Sequence, residues 1–106
     1  MILDKISQLL TFLKDDPHDA FLLFALAREY SKAGRMQEAL ETYYSLREVH
    51  GDYVGLYYHL GQLEEMMGHP DRAYKTYKAG IEVARAASDA HAQAELEGVL
   101  ALLEGR

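Results

Sequence analysis

The chain has 106 residues, the size of one domain, and it contains no cysteine. The lack of cysteine excludes disulfides and thiolate metal sites and fits a reducing compartment, so we expect a cytoplasmic protein. Eleven basic residues against 17 acidic ones give a net charge of −6. Because there is no basic stripe and no apolar run of membrane-spanning length, neither nucleic acid nor a membrane is an expected partner.

Apolar residues recur with the helical period along nearly the whole chain, and no segment alternates as a strand would. The first predicted helix ends at Asp16, because a residue that precedes proline is pushed out of the α conformation. Its apolar face comprises Ile2, Ile6, Leu9, Leu10 and Leu13. The pattern predicts about six helices, near residues 2–15, 19–33, 36–50, 53–67, from 70 onward, and 90–104.

Single residues mark several of the helix boundaries. Asp19 is a predicted N-cap, and Gly34 and Gly68 supply the left-handed residues that close the second and fourth helices. After the fifth helix the sequence leaves two options open. Either Ser88 and Asp89 cap a separate sixth helix, or one long helix continues, because no glycine or proline interrupts it there.

The apolar stripes predict which side of each later helix is buried. Adjacent residues on a helix point about 100° apart, so Glu64 and Glu65 do not converge and are expected on a solvated face. The third helix presents Met36, Ala39, Leu40, Tyr43, Leu46 and Val49. The fifth helix presents Ala73, Tyr74, Tyr77, Ile81 and Ala84. The sixth helix presents Ala94, Leu96, Val99, Leu100 and Leu103.

A 34-residue period relates the middle of the chain to itself, as Ala39 returns at Ala73 and Tyr43 at Tyr77. The first copy reads Leu23-x-x-Leu26-Ala27-x-x-Tyr30, then Gly34, then Ala39-x-x-x-Tyr43. The second copy reads Tyr57-x-x-Leu60-Gly61-x-x-Glu64, then Gly68, then Ala73-x-x-x-Tyr77. Such periods are typical of stacked repeat architectures, in which each unit buries its apolar face only against its neighbours.

These two copies resemble the tetratricopeptide repeat. The resemblance implies an all-α fold, a right-handed α-solenoid of antiparallel helix pairs with about six helices. Small residues at Ala27 and Gly61 let two helices cross closely, and the tyrosines Tyr43 and Tyr77 fill the wedge where they diverge. We expect one such domain over 1–106, with a half-repeat helix at 1–16, repeats at 20–53 and 54–87, and a capping helix at 88–106.

In the family that the chain resembles, the first helix of each repeat lines a concave groove that binds peptides. The eight residues from Ala20 to Ala27 are all apolar, which an ordinary surface helix would not be. We therefore predict a groove with an aromatic floor and a polar rim; the alternative is that the N-terminal helix covers the two phenylalanines. The floor comprises Phe21, Phe24 and Tyr58, and the rim comprises Arg28, His59, Gln62 and Glu65.

Some members of the family hold acidic chaperone tails through lysine, asparagine and arginine side chains on the groove helices. The matching positions here contain no lysine and no asparagine, so a ligand of that kind is not expected. Those positions are occupied by Phe24, Arg28, Gly55, Tyr58, His59 and Gln62.

Catalytic motifs are missing from the sequence. It has no cysteine nucleophile, no G-x-S-x-G and no glycine-rich phosphate loop, and none of its five histidines is paired at i and i+4 with another. We therefore expect no enzymatic activity, no metal and no cofactor. The predicted function is a scaffold that binds a protein or peptide partner. The alternative is a homodimer that associates through the apolar face of the second helix.

Overall fold

The computed structural model describes residues 4–106, and these residues form α-helices with no strand among them. Their number and order confirm the predicted all-α, tetratricopeptide-like architecture. Ile2, which was predicted on the first helix, lies outside the described residues. The helices are α1 (Lys5–Asp15), α2 (Ala20–Lys32), α3 (Met36–Val49), α4 (Gly55–Met66), α5 (Pro70–Ala86) and α6 (Ala90–Glu104).

Aspartates cap three of these helices, namely α1 through Asp4, α2 through Asp19 and α6 through Asp89. The carboxylate of Asp19 accepts a hydrogen bond from the backbone N–H of Leu22 at 2.8 Å, which confirms the predicted N-cap of α2. Asp89 accepts one from the backbone N–H of Ala92 at 3.0 Å in the same way. Each carboxylate satisfies a backbone donor that the first turn of a helix leaves without an intrahelical partner.

Three residues with positive φ end helices. Gly34 has φ of 78° and Gly68 has φ of 82°, as predicted for residues that close a helix. Ser88 has φ of 56°, so the chain breaks here, the predicted separate sixth helix is confirmed and the alternative of one continuous helix is excluded. The backbone N–H of Asp89 donates to the carbonyl of Ala84 at 2.9 Å. This bond satisfies one of the last carbonyl groups of α5, as is usual when a left-handed residue follows a helix.

The contacts of the chain cluster into two compact units, one ending at His50 and the other beginning at Gly51. In the first unit, α2 packs against both α1 and α3. In the second unit, α5 packs against both α4 and α6, and α4 also touches α6. The division into repeats at 20–53 and 54–87 stays a prediction.

The buried stripes match the prediction at their centres and differ from it at their edges. Val49 and Tyr74 are exposed, and so are Leu10 and Ala94, although all four were predicted to be buried. Ala73, Tyr77 and Ala84 share the middle of the buried side of α5, given 3.6 residues per turn. Tyr74 lies about a quarter of a turn away from them, at the margin of that side. Thr76 and Gly80, which the prediction left out, are buried there instead.

The expectation of a solvated Glu64–Glu65 pair is wrong for Glu64. Its side chain is 1% exposed, and its carboxylate accepts a 2.5 Å hydrogen bond from Oγ1 of Thr76 on α5. A buried carboxylate is tolerated only when polar groups replace the water that it loses. The position that holds Tyr30 in the first copy of the repeat therefore holds, in the second copy, a polar link between α4 and α5.

Candidate protein-binding surface

Helices α1 and α2 border an open trough of about 350 Å³ in the first unit. The trough has an apolar floor because α1 contributes a leucine and a phenylalanine and α2 contributes two phenylalanines and an alanine. Its apolar lining residues are Leu9, Phe12, Phe21, Phe24 and Ala25, and its polar lining residues are Lys5, Gln8, Arg28, Glu29 and Lys32. Three of the predicted groove residues, Phe21, Phe24 and Arg28, are thus brought together on α2.

The two predicted phenylalanines have different surroundings. Phe21 is 67% exposed, so the N-terminal helix does not cover it. Phe24 is half-buried, and its ring meets the ring of Tyr43 edge-on with centroids 6.4 Å apart. Edge-on aromatic contacts of this length stabilise a core beyond the area that they bury. Phe24 therefore belongs both to the core and to the trough, whereas Phe21 belongs to the surface.

Positive charge predominates around the trough. The Glu29 carboxylate lies 3.6 Å from the ammonium of Lys5 and 3.5 Å from that of Lys32, so one acid is shared between two bases. The Arg28 guanidinium lies 5.9 Å from the centroid of the Phe24 ring, within the range of a cation–π contact. Three cations and one carboxylate thus border this apolar floor, in a chain whose net charge is −6.

The other four predicted groove residues are on α4, in the second unit. The rings of Tyr58 and His59 are half-buried and meet edge-on at 5.5 Å. Gln62 donates to the hydroxyl of Tyr77 at 2.5 Å, and that hydroxyl donates to Oε2 of Glu65 at 2.5 Å. Gln62 and Glu65 were predicted only as a rim, but the structure also uses them to hold the phenol of a buried tyrosine.

Burial and the neighbouring Glu65 carboxylate both raise the pKa of the Tyr77 phenol. The phenol therefore keeps its proton and remains a donor to Glu65. The remaining oxygen of Glu65, Oε1, accepts from the guanidinium of Arg106. Charge-assisted bonds of this kind fix the carboxylate in one orientation.

The sequence-based prediction missed the α1 side of the trough. Phe12 is 58% exposed and lines it, together with Lys5 and Leu9. A large aromatic residue outside the apolar stripe of an amphipathic helix was the available signal. Tyr77 was predicted only as a wedge residue, and its hydroxyl contacts depend on side chains from another helix.

Residues 4–106 contain no group of three or more histidine, cysteine, aspartate or glutamate side chains that could hold a metal ion. Within the same part of the chain, every helix is too short or too polar to cross a bilayer.

The chain consists of helices joined by short turns, and its small residues and tyrosines recur at 34-residue intervals. These two features together define a helical-repeat protein. Two solved structures of a tetratricopeptide repeat domain protein from Salinibacter ruber are similar to the chain. Its solution NMR structure shares 42% identity and superposes with a TM-score of 0.81, covering 85% of this chain and 91% of that chain. Its crystal structure shares 41% identity with a TM-score of 0.79, covering 82% and 98%. The chain therefore belongs to the tetratricopeptide repeat family.

More distant structures share the fold. The crystal structure of PcrH in complex with the chaperone binding region of PopD superposes with a TM-score of 0.88 at 17% identity, over 95% of this chain and 77% of that chain. No protein-family model and no curated protein sequence matches the chain.

Proposed function

We propose that this chain is a non-enzymatic protein-interaction module that binds a peptide or helical segment of a protein partner on α2. The observation that carries the proposal is the exposure of Phe21, which lies on a helix whose other side is packed in the core. Large exposed aromatic residues on a rigid element are typical of binding surfaces, because they bury much area at little entropic cost.

The trough suits a partner with an apolar anchor. Phe12 and Phe21 are both more than half exposed and line the same trough. Fully burying a side chain of this size stabilises a complex by about 1.5–3 kcal/mol. Two or three such contacts offset enough of the association cost to support an affinity in the micromolar range, about −8 kcal/mol.

A second contact region is proposed on α4. Tyr58 and His59 offer half-buried rings there, and Gln62 and Glu65 offer polar groups that Tyr77 already orients. A polar group that is fixed before binding loses less conformational entropy when a partner arrives. This region would therefore contribute specificity, whereas the apolar trough would contribute most of the affinity.

Membership of the repeat family supports the proposal. Proteins with this architecture expose long helical faces that other chains can contact. PcrH, which shares the fold at low identity, was crystallised with the chaperone binding region of PopD. The partner of this chain is proposed only as a protein segment with apolar anchors.

A displayed peptide library tests the proposal. We expect the protein to enrich peptides with large apolar side chains, and we expect Phe21→Asp to weaken their binding by about tenfold or more. Val49→Asp is the matched control, because Val49 is 46% exposed and lies on α3, outside the trough and outside the proposed α4 region. If the library enriches no peptide, or if both variants bind the same peptides equally well, the proposed surface is wrong.

Homodimerisation through the α2 face is the second candidate, and the exposure of Phe21 and Phe12 favours it too. A second copy would cover the same rings that a foreign segment would cover. Light scattering over a range of protein concentrations separates the two. A mass that stays at 12.0 kDa excludes the homodimer and leaves the peptide-binding proposal standing.

A further inference from the structure

The last helix, α6, has an exposed side whose chemistry is complementary to that of the α1–α2 trough. Leu96 is its only buried residue, and Leu102 is 65% exposed. Ala94, Gly98, Ala101 and Leu102 are all exposed and share one side of the helix, given 3.6 residues per turn. This set is called the α6 face below.

The α6 face is bordered by acidic residues. Glu95 lies on one flank, and Glu97 and Glu104 lie on the other. The helix contains these three glutamates and no lysine or arginine. The trough has the opposite character, since Lys5, Arg28 and Lys32 surround its apolar floor with only Glu29 among them.

Gly98 has no packing role within the described chain. A Cβ built at this position meets no atom within 4 Å. Glycine in the middle of a helix is destabilising relative to alanine, so the position weakens α6 without a local gain. A helix with small residues on one side can, however, lie close to the aromatic rings of another surface.

We propose that the trough receives the α6 face of a second copy of this chain, in a head-to-tail contact. The inference rests on the proposed function, because it names the occupant of the same surface. Leu102 of the second copy would insert between Phe12 and Phe21, and its glutamates would face Lys5, Arg28 and Lys32. A partner protein with a similar apolar and acidic helix would then compete with self-association.

A head-to-tail contact joins two different surfaces, so it builds either a closed ring or an open chain of copies. We expect the weight-average mass to rise above 12.0 kDa with protein concentration. We also expect added salt to reduce the association, because opposed charges surround the apolar contact.

Two single-surface variants test the geometry. Phe21→Glu places a charge in the trough and leaves the α6 face intact. Leu102→Lys places a charge on the α6 face and leaves the trough intact. Each variant alone should remain monomeric, with its association weakened by about tenfold or more. An equimolar mixture should form a one-to-one dimer and nothing larger. Met66→Glu, at an exposed apolar position on α4, should associate like the wild type.

Other outcomes overturn the inference. Association of Leu102→Lys alone would indicate trough-to-trough pairing, and association of Phe21→Glu alone would indicate pairing between two α6 faces. A mixture that stays monomeric also contradicts the head-to-tail contact. Both substituted residues are surface-exposed, and helical circular dichroism and thermal melting verify that each variant folds.

A synthetic peptide of residues 88–106 separates this inference from the proposed function. It should bind the Leu102→Lys protein, whose trough is intact, and it should not bind the Phe21→Glu protein. If this peptide fails while displayed peptides still bind in a Phe21-dependent manner, the head-to-tail contact is wrong and the interaction module stands. If both kinds of peptide fail, both proposals are wrong.

Discussion

Gly61 on α4 lies directly beneath the ring of Tyr77 on α5. A Cβ built on Gly61 would be 2.1 Å from Cε1 of that ring, far inside van der Waals contact. Both residues are buried, and the Tyr77 ring is also held by its hydroxyl bonds to Gln62 and Glu65. The close crossing of the two helices therefore requires that position 61 carry no side chain.

Substituting this glycine should destabilise the protein. We expect Gly61→Ala to lower the free energy of unfolding by about 1–3 kcal/mol, because the tethered ring has to move away from the new methyl group. Urea denaturation monitored by circular dichroism measures the change.

The matched control is Gly98→Ala, at a helical glycine with open space around it. Alanine is favoured over glycine in helices by about 1 kcal/mol, so this variant should be more stable than the wild type. Equal effects of the two substitutions would contradict the crossing described here.

Ser88 adopts a conformation that suits glycine better. Its φ of 56° lies in the left-handed region, which costs a residue with a Cβ about 1 kcal/mol. We expect Ser88→Gly to raise the melting temperature. Gly68→Ser introduces the same side chain at φ of 82° and should lower it. Destabilisation by Ser88→Gly would show that α5 and α6 form one helix.

The hydrogen bond from Thr76 to Glu64 should be needed for stability. Thr76→Val keeps the shape of the side chain and removes the donor, which leaves the buried carboxylate without this bond. The expected loss is about 1–3 kcal/mol in the free energy of unfolding, measured by denaturant titration. Thr76→Ser keeps the hydroxyl and should cost less; the reverse order would contradict a role for this bond.

Tyr43 should make stability fall at alkaline pH. Burial raises the pKa of its phenol to about 12, whereas an unfolded tyrosine ionises near pH 10. The contribution of the neutral phenol is therefore complete below about pH 10 and is lost between there and about pH 12. Unfolding free energies across this range should depend less on pH in Tyr43→Phe than in the wild type. An unchanged pH dependence would mean that this phenol is accessible to water.

Phe24 and Phe21 should respond differently to truncation. Phe24→Ala removes the edge-on contact with Tyr43 and should lower stability by about 1–3 kcal/mol. Phe21→Ala changes a ring that is largely in solvent, so it should alter stability by less than about 0.5 kcal/mol. Thermal unfolding of the two variants under the same conditions gives the comparison. A large loss with Phe21→Ala would place this ring in the core.

Much of the fold is visible in the sequence because it depends on local signals. The helical period places the six helices, and aspartate and glycine mark their ends, as at Asp19, Gly34 and Gly68. The break at Ser88 is different. Serine has no intrinsic preference for the left-handed conformation, so the turn depends on the packing of α6 against α5.

The candidate surface is only partly visible in the sequence. An unbroken apolar run from Ala20 to Ala27 indicates that α2 has two apolar sides, and α2 does contact helices on both sides. The run does not distinguish Phe21, which is exposed, from Phe24, which touches Tyr43. Which phenylalanine is covered depends on where α1 and α3 pack against α2, and the sequence does not give that placement. The sequence does not place Phe12 of α1 in the trough for the same reason.

By itself, the sequence determined the helices, the 34-residue repeat, the small residues at the crossings and hence the class of protein. These features follow from periodicity and side-chain size, which are properties of neighbouring residues. The tertiary structure alone decided that Glu64 is buried against Thr76 and that Gln62 and Glu65 hold the hydroxyl of Tyr77. Such contacts join residues 12 to 15 positions apart on different helices, so no local pattern encodes them.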